Sequence, residues 1–170
     1  KEEIILKKEL NLGKSLLFEI GAFYIFEPCS SLVNYFLQPN ENDIILDIAS
    51  APGGKTIHSS FLMHNKGQII ANEISSSRVE LLSQNIEKYG RKNVTVISTE
   101  VNKLVDQFPN FFTKIILDAP CSGSGMFRKE TKMKDDWTYQ KVLACSKLQK
   151  ELMNRIDKFA KVSGGNLSVS

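Results

Sequence analysis

The feature that most limits how this chain can fold is the run Ile44-Ile45-Leu46-Asp47-Ile48, an almost unbroken apolar stretch that passes straight into Ala49-Ser50-Ala51-Pro52-Gly53-Gly54. A strand apolar at successive positions has to be buried on both faces, so its sheet needs helices above and below. The glycines open a helix that carries Ile57, Phe61 and Leu62, and Gly67 ends the connection before a second strand at Gln68–Asn72. Strand, helix, strand in that order is one parallel crossover unit.

The pattern repeats downstream. Ser75–Tyr89 places Val79, Leu82, Ile86 and Tyr89 at helical spacing, with serines as N-cap and Gly90 as the stop. Val94–Ile97 reads as a third strand and Lys114–Asp118 as a fourth, centred on Ile115, Ile116 and Leu117. A long helix from Asp135 or Asp136 as N-cap carries Leu148, Leu152, Ile156 and Phe159 and stops at Ser163-Gly164-Gly165, before a fifth strand at Leu167–Ser170. Upstream, Pro28 suits a first helical position, and Leu32, Val33, Phe36 and Leu37 form a stripe expected to pack on the sheet. The expected fold is α/β, Rossmann-like, with a mostly parallel sheet and helices on both faces. Residues 1–40 form an N-terminal helical or extended segment against the sheet. Residues 41–170 form a core that is incomplete at its C-terminus, because such sheets normally gain further strands that cover the edge.

Composition narrows the class. At 170 residues, 42% apolar and 24% charged, the chain has the make-up of one globular domain. No apolar run approaches the roughly 20 residues of a spanning helix, and the N-terminus lacks a signal cleavage site, which points to the cytoplasm and no membrane. Cys29, Cys121 and Cys145 are odd in number and widely spaced, so neither a disulfide framework nor a zinc pair is suggested. Cys145 reads as a core residue, and His58 and His64 as ordinary surface or packing residues with no metal partner at ligand spacing. A net charge of +3 permits a polyanionic partner without requiring one.

Ligands of open α/β sheets bind at the carboxyl ends of strands, which places Ala49 to Lys55 at a binding site. Gly54-Lys55-Thr56, with the apolar strand ending in Asp118, also fits the end of a phosphate-binding P-loop. That pattern needs a glycine where Ala49 stands, and Pro52 removes a backbone N–H from a loop that would present them. A nucleoside cofactor fits better, because Glu73 ends the second strand and a carboxylate can accept from both hydroxyls of a ribose. Asp118-Ala-Pro-Cys-Ser-Gly-Ser-Gly125 then brings an acid and the Cys121 thiol to the same edge.

Ala51-Pro-Gly-Gly-Lys-Thr56, Ala71-Asn-Glu73 and Asp118-Ala-Pro-Cys-Ser-Gly123 together resemble the Sun family of RNA 5-methylcytosine methyltransferases. Phe23-Tyr-Ile-Phe-Glu-Pro28 and Gly125-Met-Phe-Arg-Lys129, with Trp137 and Gln149, resemble its bacterial RsmF-type ribosomal branch. The resemblance implies a methyltransferase fold with S-adenosyl-L-methionine as cofactor. Ala49, Ser50, Ala51, Pro52, Gly53, Gly54 and Lys55 would line the methionine and ribose, Glu73 would hold the ribose hydroxyls, and Asp118 would lie between cofactor and base. It implies catalytic roles for Asp118 and Lys55 at the cytosine, and for Cys121 in releasing the methylated product. Ala49-Ser50 replaces the family's usual Cys-Ala, and Glu100 is the nearest candidate for an acid beside adenine.

The family's nucleophile, which attacks carbon 6 of cytosine as a thiolate, lies in a Ser-Thr-Cys sequence after a Gly-Gly strand. This chain reads Gly164-Gly-Asn-Leu-Ser-Val-Ser170. The expectation is that a piece ending there binds cofactor and does not methylate RNA. RNA, ribosomal before transfer RNA, is the implied partner, with Arg128, Lys129, Lys132 and Lys134 available to phosphates. Two alternatives stand beside this reading: a non-catalytic cofactor- or RNA-binding module, and the P-loop nucleotide triphosphatase. No metal is expected, and oligomeric state is left open.

Overall fold

The computed structural model of the chain describes residues 11–26, 28–118, 138–156 and 166–169. A 3-10 turn at Leu12–Lys14 and a single helical turn, α1 (Leu16–Glu19), precede α2 (Pro28–Leu37). The alternation then runs β1 (Ile44–Asp47), α3 (Gly54–Leu62), β2 (Gln68–Asn72), α4 (Ser76–Lys88), β3 (Val94–Ile97), α5 (Val101–Gln107), β4 (Lys114–Leu117), α6 (Tyr139–Ile156), β5 (Asn166–Val169).

The strands form one sheet in the order β3-β2-β1-β4-β5, with every neighbouring pair parallel. β1 is central: Leu46 stands opposite Ile70 on β2 and Ile115 on β4. From β1 the chain winds outward to β2 and β3, then returns to β4 on the other side. The crevice at the β1–β4 carboxyl ends is therefore the place where the winding direction reverses, the usual ligand position in such sheets.

Alternation along the strands assigns the two faces. Ile45, Ile69 and Ile116 pack with Val33 and Leu37 of α2 and with Met63, while Leu46, Ile115 and Leu117 pack with Leu104 of α5 and Leu152 and Ile156 of α6. Helices thus cover both faces, as the unbroken apolar strand required. Each fully buried aliphatic side chain here contributes about 1.5–3 kcal/mol of transfer free energy. At the amino-terminal edge, Lys114 Nζ lies 2.7 Å from Asp43 Oδ2, with both side chains almost enclosed. Thr113 Oγ1 donates to Asp43 Oδ1 at 2.9 Å, and the Asn40 N–H donates to Oδ2 at 2.8 Å.

Local signals explain the element ends. α4 stops in a tight double closure in which the Gly90 N–H donates to the Glu87 carbonyl and the Arg91 N–H to the Ile86 carbonyl. α6 starts one residue after Thr138, whose Oγ1 accepts from the Lys141 N–H at 3.2 Å. The expected caps, Asp135 and Asp136, lie outside the described residues, among which the helix runs Tyr139–Ile156. Phe159 also lies outside them.

Several expected core positions face outward. Of the expected stripe on α2, Val33 and Leu37 are buried against the sheet, whereas Leu32 and Phe36 are 51% and 71% exposed, because only part of that helical face meets the strands. Phe61 and Leu148 are exposed as well, and Cys145 is half-buried instead of enclosed. His64 is on the surface beside Glu41, and His58 is buried with its ring 4.8 Å from that of Phe26. α5 has no counterpart among the expected elements. No described helix is long and apolar enough to cross a membrane.

Candidate functional site

β1 delivers Asp47 to the carboxyl edge of the sheet, and the chain then turns through Ala49 to Gly54 into α3. The Ala51–Pro52 peptide is cis, and Gly53 sits at φ 108°, a conformation that a side chain makes costly. A Cβ at Gly53 would also meet Leu82 Cδ1 at 3.0 Å, so the loop lies directly on α4. Gly54 serves a different close approach: a Cβ there would stand 3.0 Å from Tyr24 Oη. Tyr24 is wedged between Phe26 and Tyr89, at 4.5 and 5.0 Å between ring centroids, and backs the loop from the N-terminal arm.

The loop's carbonyls are tied down by side chains from three elements. Asn72 Nδ2, on β2, donates to the Ile48 carbonyl at 3.1 Å, Arg78 Nη2 to that of Ala51 at 2.6 Å, and Asn85 Nδ2 to that of Pro52 at 2.8 Å. From α2, the buried Asn34 donates through Nδ2 to the Lys55 carbonyl at 3.0 Å, and Ser59 Oγ bonds Asn34 Oδ1 at 2.6 Å. The Ser50 N–H donates to the Asn72 carbonyl at 2.8 Å, which carries the loop across toward β2.

Three acids surround this loop. Asp47 is fully enclosed; Thr56 Oγ1 donates to its Oδ2 at 2.6 Å, and Oδ1 has no hydrogen-bond partner among the described residues. Burial pushes its carboxyl up to about 6, against the Thr56 hydrogen bond and the nearby Lys55 charge, with the Asp118 charge adding to the rise. Glu73, just past β2, is also buried. Its Oε1 accepts from the Ser75 N–H at 3.0 Å, and Arg78 Nη1 lies 3.0 Å from Oε2. That Arg78 contact is an ion pair without hydrogen-bond alignment, so Oε2 retains accepting capacity. Asp118, one residue past β4, takes a 2.6 Å hydrogen bond from Lys55 Nζ. The lysine is largely covered and the carboxylate half open to solvent, so the pair stands at the mouth of the crevice.

The structure therefore gathers Ala49 to Lys55, Glu73 and Asp118 around one turn. Cys121 and the Arg128, Lys129, Lys132 and Lys134 cluster lie outside the described residues. Glu100 is exposed at the N-cap of α5, with no side-chain cap bond; the Thr99 N–H donates to Asn72 Oδ1. Arg78, Asn34 and Asn85 belong to no motif that the sequence displays, and Asn72 and Thr56 stand inside motifs that assign them no part, yet these five side chains hold the loop and the acid beneath it. Asn34 carried the one available signal, a polar residue on the buried edge of an apolar helix.

A family profile described as "16S rRNA methyltransferase RsmB/F" matches residues 34–169. The chain is 38% identical over 149 residues to "Ribosomal RNA small subunit methyltransferase F" of Vibrio atlanticus, covering 86% of this chain and 32% of that protein. It is 39% identical to the protein of the same name in Serratia proteamaculans, over 86% of this chain and 31% of that one. It thus spans about a third of the length of these curated relatives. Among solved structures, NSun6 from Pyrococcus horikoshii with SFG superposes at a TM-score of 0.83 with 33% identity, over 95% of this chain and 41% of that one. The fold is the Rossmann-like methyltransferase fold, and the P-loop reading gives way to it. By the extent of the profile match and the identity to these relatives, the chain belongs to the 16S rRNA methyltransferase RsmB/F family.

Proposed function

We propose that this chain forms the cofactor-binding core of an S-adenosylmethionine-dependent methyltransferase that modifies carbon 5 of a cytosine in ribosomal RNA. In this reading residues 41–170 are the catalytic core and residues 1–40 a segment packed on it. The observation that carries it is the Lys55–Asp118 pair at the reversal point of the sheet, beside a turn tethered with Glu73 at its flank. The names of the relatives support the ribosomal substrate, and the neighbour solved with SFG, an S-adenosylmethionine analogue, supports the cofactor.

The residues present fit that cofactor. Two enclosed carboxylate oxygens, Glu73 Oε2 and Asp47 Oδ1, have no hydrogen-bond partner among the described residues. A buried acceptor left unmade costs about 1–3 kcal/mol, so such oxygens mark where donors of a ligand belong. Glu73 would take the ribose hydroxyls, and Ala49 to Lys55 would line the nucleoside and methionine. When bound, the group supplies a methyl on a positively charged sulfur.

Asp118 and Lys55 then act on the base. The short charge-assisted bond from Lys55 orients the Asp118 carboxyl group, so that it meets the pyrimidine ring in a fixed direction and polarises it toward attack at carbon 6. By resemblance the attacking thiol belongs to the family's Ser-Thr-Cys segment, and Cys121 assists release of the methylated base. The target must leave its stack to reach this edge, which favours a looped or single-stranded cytosine.

Two variants test the reading in the full-length protein. Glu73→Ala should weaken S-adenosylhomocysteine binding at least tenfold by calorimetry. Asp118→Asn should leave that affinity within about threefold while methyl transfer to ribosomal RNA falls about a hundredfold or more. Unaltered binding in the first variant, or full activity in the second, would overturn the assignment of that residue.

A further inference from the structure

Arg78 occupies a place that no motif assigns. It stands in the first turn of α4, five positions after Glu73, and its side chain is half exposed. One guanidinium nitrogen, Nη2, donates to the Ala51 carbonyl at 2.6 Å, and the other, Nη1, lies 3.0 Å from Glu73 Oε2. The first contact holds the cis-proline turn; the second sits on the carboxylate proposed to take the ribose. A planar, permanently charged fork is the group that can hold two acceptors in a fixed mutual geometry, which a lysine ammonium on a flexible stem does not.

The two acceptors come from different segments. Ala51 belongs to the turn after β1, and Glu73 follows β2. Besides Arg78, the Glu73 carboxylate is held by the Ser75 N–H on Oε1. Among the described residues the Ala51 carbonyl accepts a side-chain hydrogen bond from Arg78, while Ile48, Pro52 and Lys55 have their own donors. Without Arg78 the turn would keep its flanking anchors but lose the strap to the acid.

We propose that Arg78 is a positioning residue that sets ribose recognition, by fixing the Glu73 carboxylate relative to the turn through simultaneous contact with Glu73 and the Ala51 carbonyl. It touches neither the reacting atoms nor the base. This rests on the ribose role of Glu73 proposed above. The specific consequence is that Arg78 controls discrimination for the ribose hydroxyls, beyond affinity as a whole.

The test compares S-adenosylhomocysteine with its 2′-deoxyribose analogue by calorimetry on the full-length protein and the variants Arg78→Ala, Arg78→Lys and Glu73→Ala. The wild-type protein should prefer the ribose ligand about tenfold or more, the size of a charge-assisted hydrogen bond. Arg78→Ala should cut that ratio to within about threefold of unity, and Arg78→Lys should restore part of it, because the charge remains and the fork does not. Loss of affinity for both ligands in equal proportion in Arg78→Ala, with the ratio intact, would overturn the proposal and leave Arg78 a fold residue. If Glu73→Ala abolishes the preference while Arg78→Ala keeps it, the ribose reading stands and the Arg78 inference fails. If Glu73→Ala keeps the preference, the ribose reading itself is wrong and the inference falls with it.

Discussion

Replacing Gly54 by alanine tests whether the N-terminal arm truly backs the loop. The added Cβ would stand 3.0 Å from Tyr24 Oη and 3.6 Å from Cζ, so the hydroxyl contact is several tenths of an ångström too short. Tyr24 cannot retreat, since Phe26 and Tyr89 flank its ring. Overpacking of this kind costs about 1–3 kcal/mol, against a gain of about 0.4–1 kcal/mol for alanine over glycine at a compatible helical position. Gly54→Ala should therefore destabilise by about 1 kcal/mol or somewhat more. In the Tyr24→Phe background the clash disappears, the ring packing stays, and the same substitution should stabilise. The expected coupling is about 1.5–2 kcal/mol, within the range for residues in contact. Urea unfolding of the four proteins of the cycle measures it. Additivity within about 0.5 kcal/mol would refute the close approach and with it the supporting role of the arm.

The buried Asp47 makes stability depend on pH in a defined direction. Its folded value of about 6 exceeds the unfolded value near 3.8, so the folded state binds the proton more tightly, and stability from this group falls as pH rises between the two values and is flat above. Asp47→Asn should flatten that slope in melting curves between about pH 4 and about pH 7; a slope identical to wild type would mean the carboxyl titrates normally. At the other edge of the sheet, Asp43→Ala strands the enclosed Lys114 charge and should cost about 3–5 kcal/mol in urea unfolding, whereas a loss under about 1 kcal/mol would show that the pair is solvated.

Much of this architecture was legible in the chain. The apolar strands announced themselves because burial on both faces leaves no polar alternation to confuse them, and α4 carries its stop signal in Tyr89 and Gly90. α5 leaves little mark in the sequence because it is short, follows Glu100 without a side-chain cap, and has Leu104 as its enclosed anchor. The stripe on α2 misled for the opposite reason: Leu32 and Phe36 share a helical face with Val33 and Leu37 in sequence, but only part of that face meets the sheet. The loop, Glu73 and Asp118 were marked by their positions at strand ends. Arg78, Asn34 and Asn85 were not, because hydrogen bonds to carbonyls distant in sequence leave no periodicity and suit many polar side chains.

The tethered carbonyls have a further consequence for how a ligand arrives. A socket whose walls are already fastened by asparagines and an arginine loses little freedom when it is filled, so the entropy lost on association falls mainly on the guest. Selectivity among nucleosides then resides in shape settled during folding, and side chains of α2 and α4 that grip the back of the loop become determinants of how tightly the guest is held.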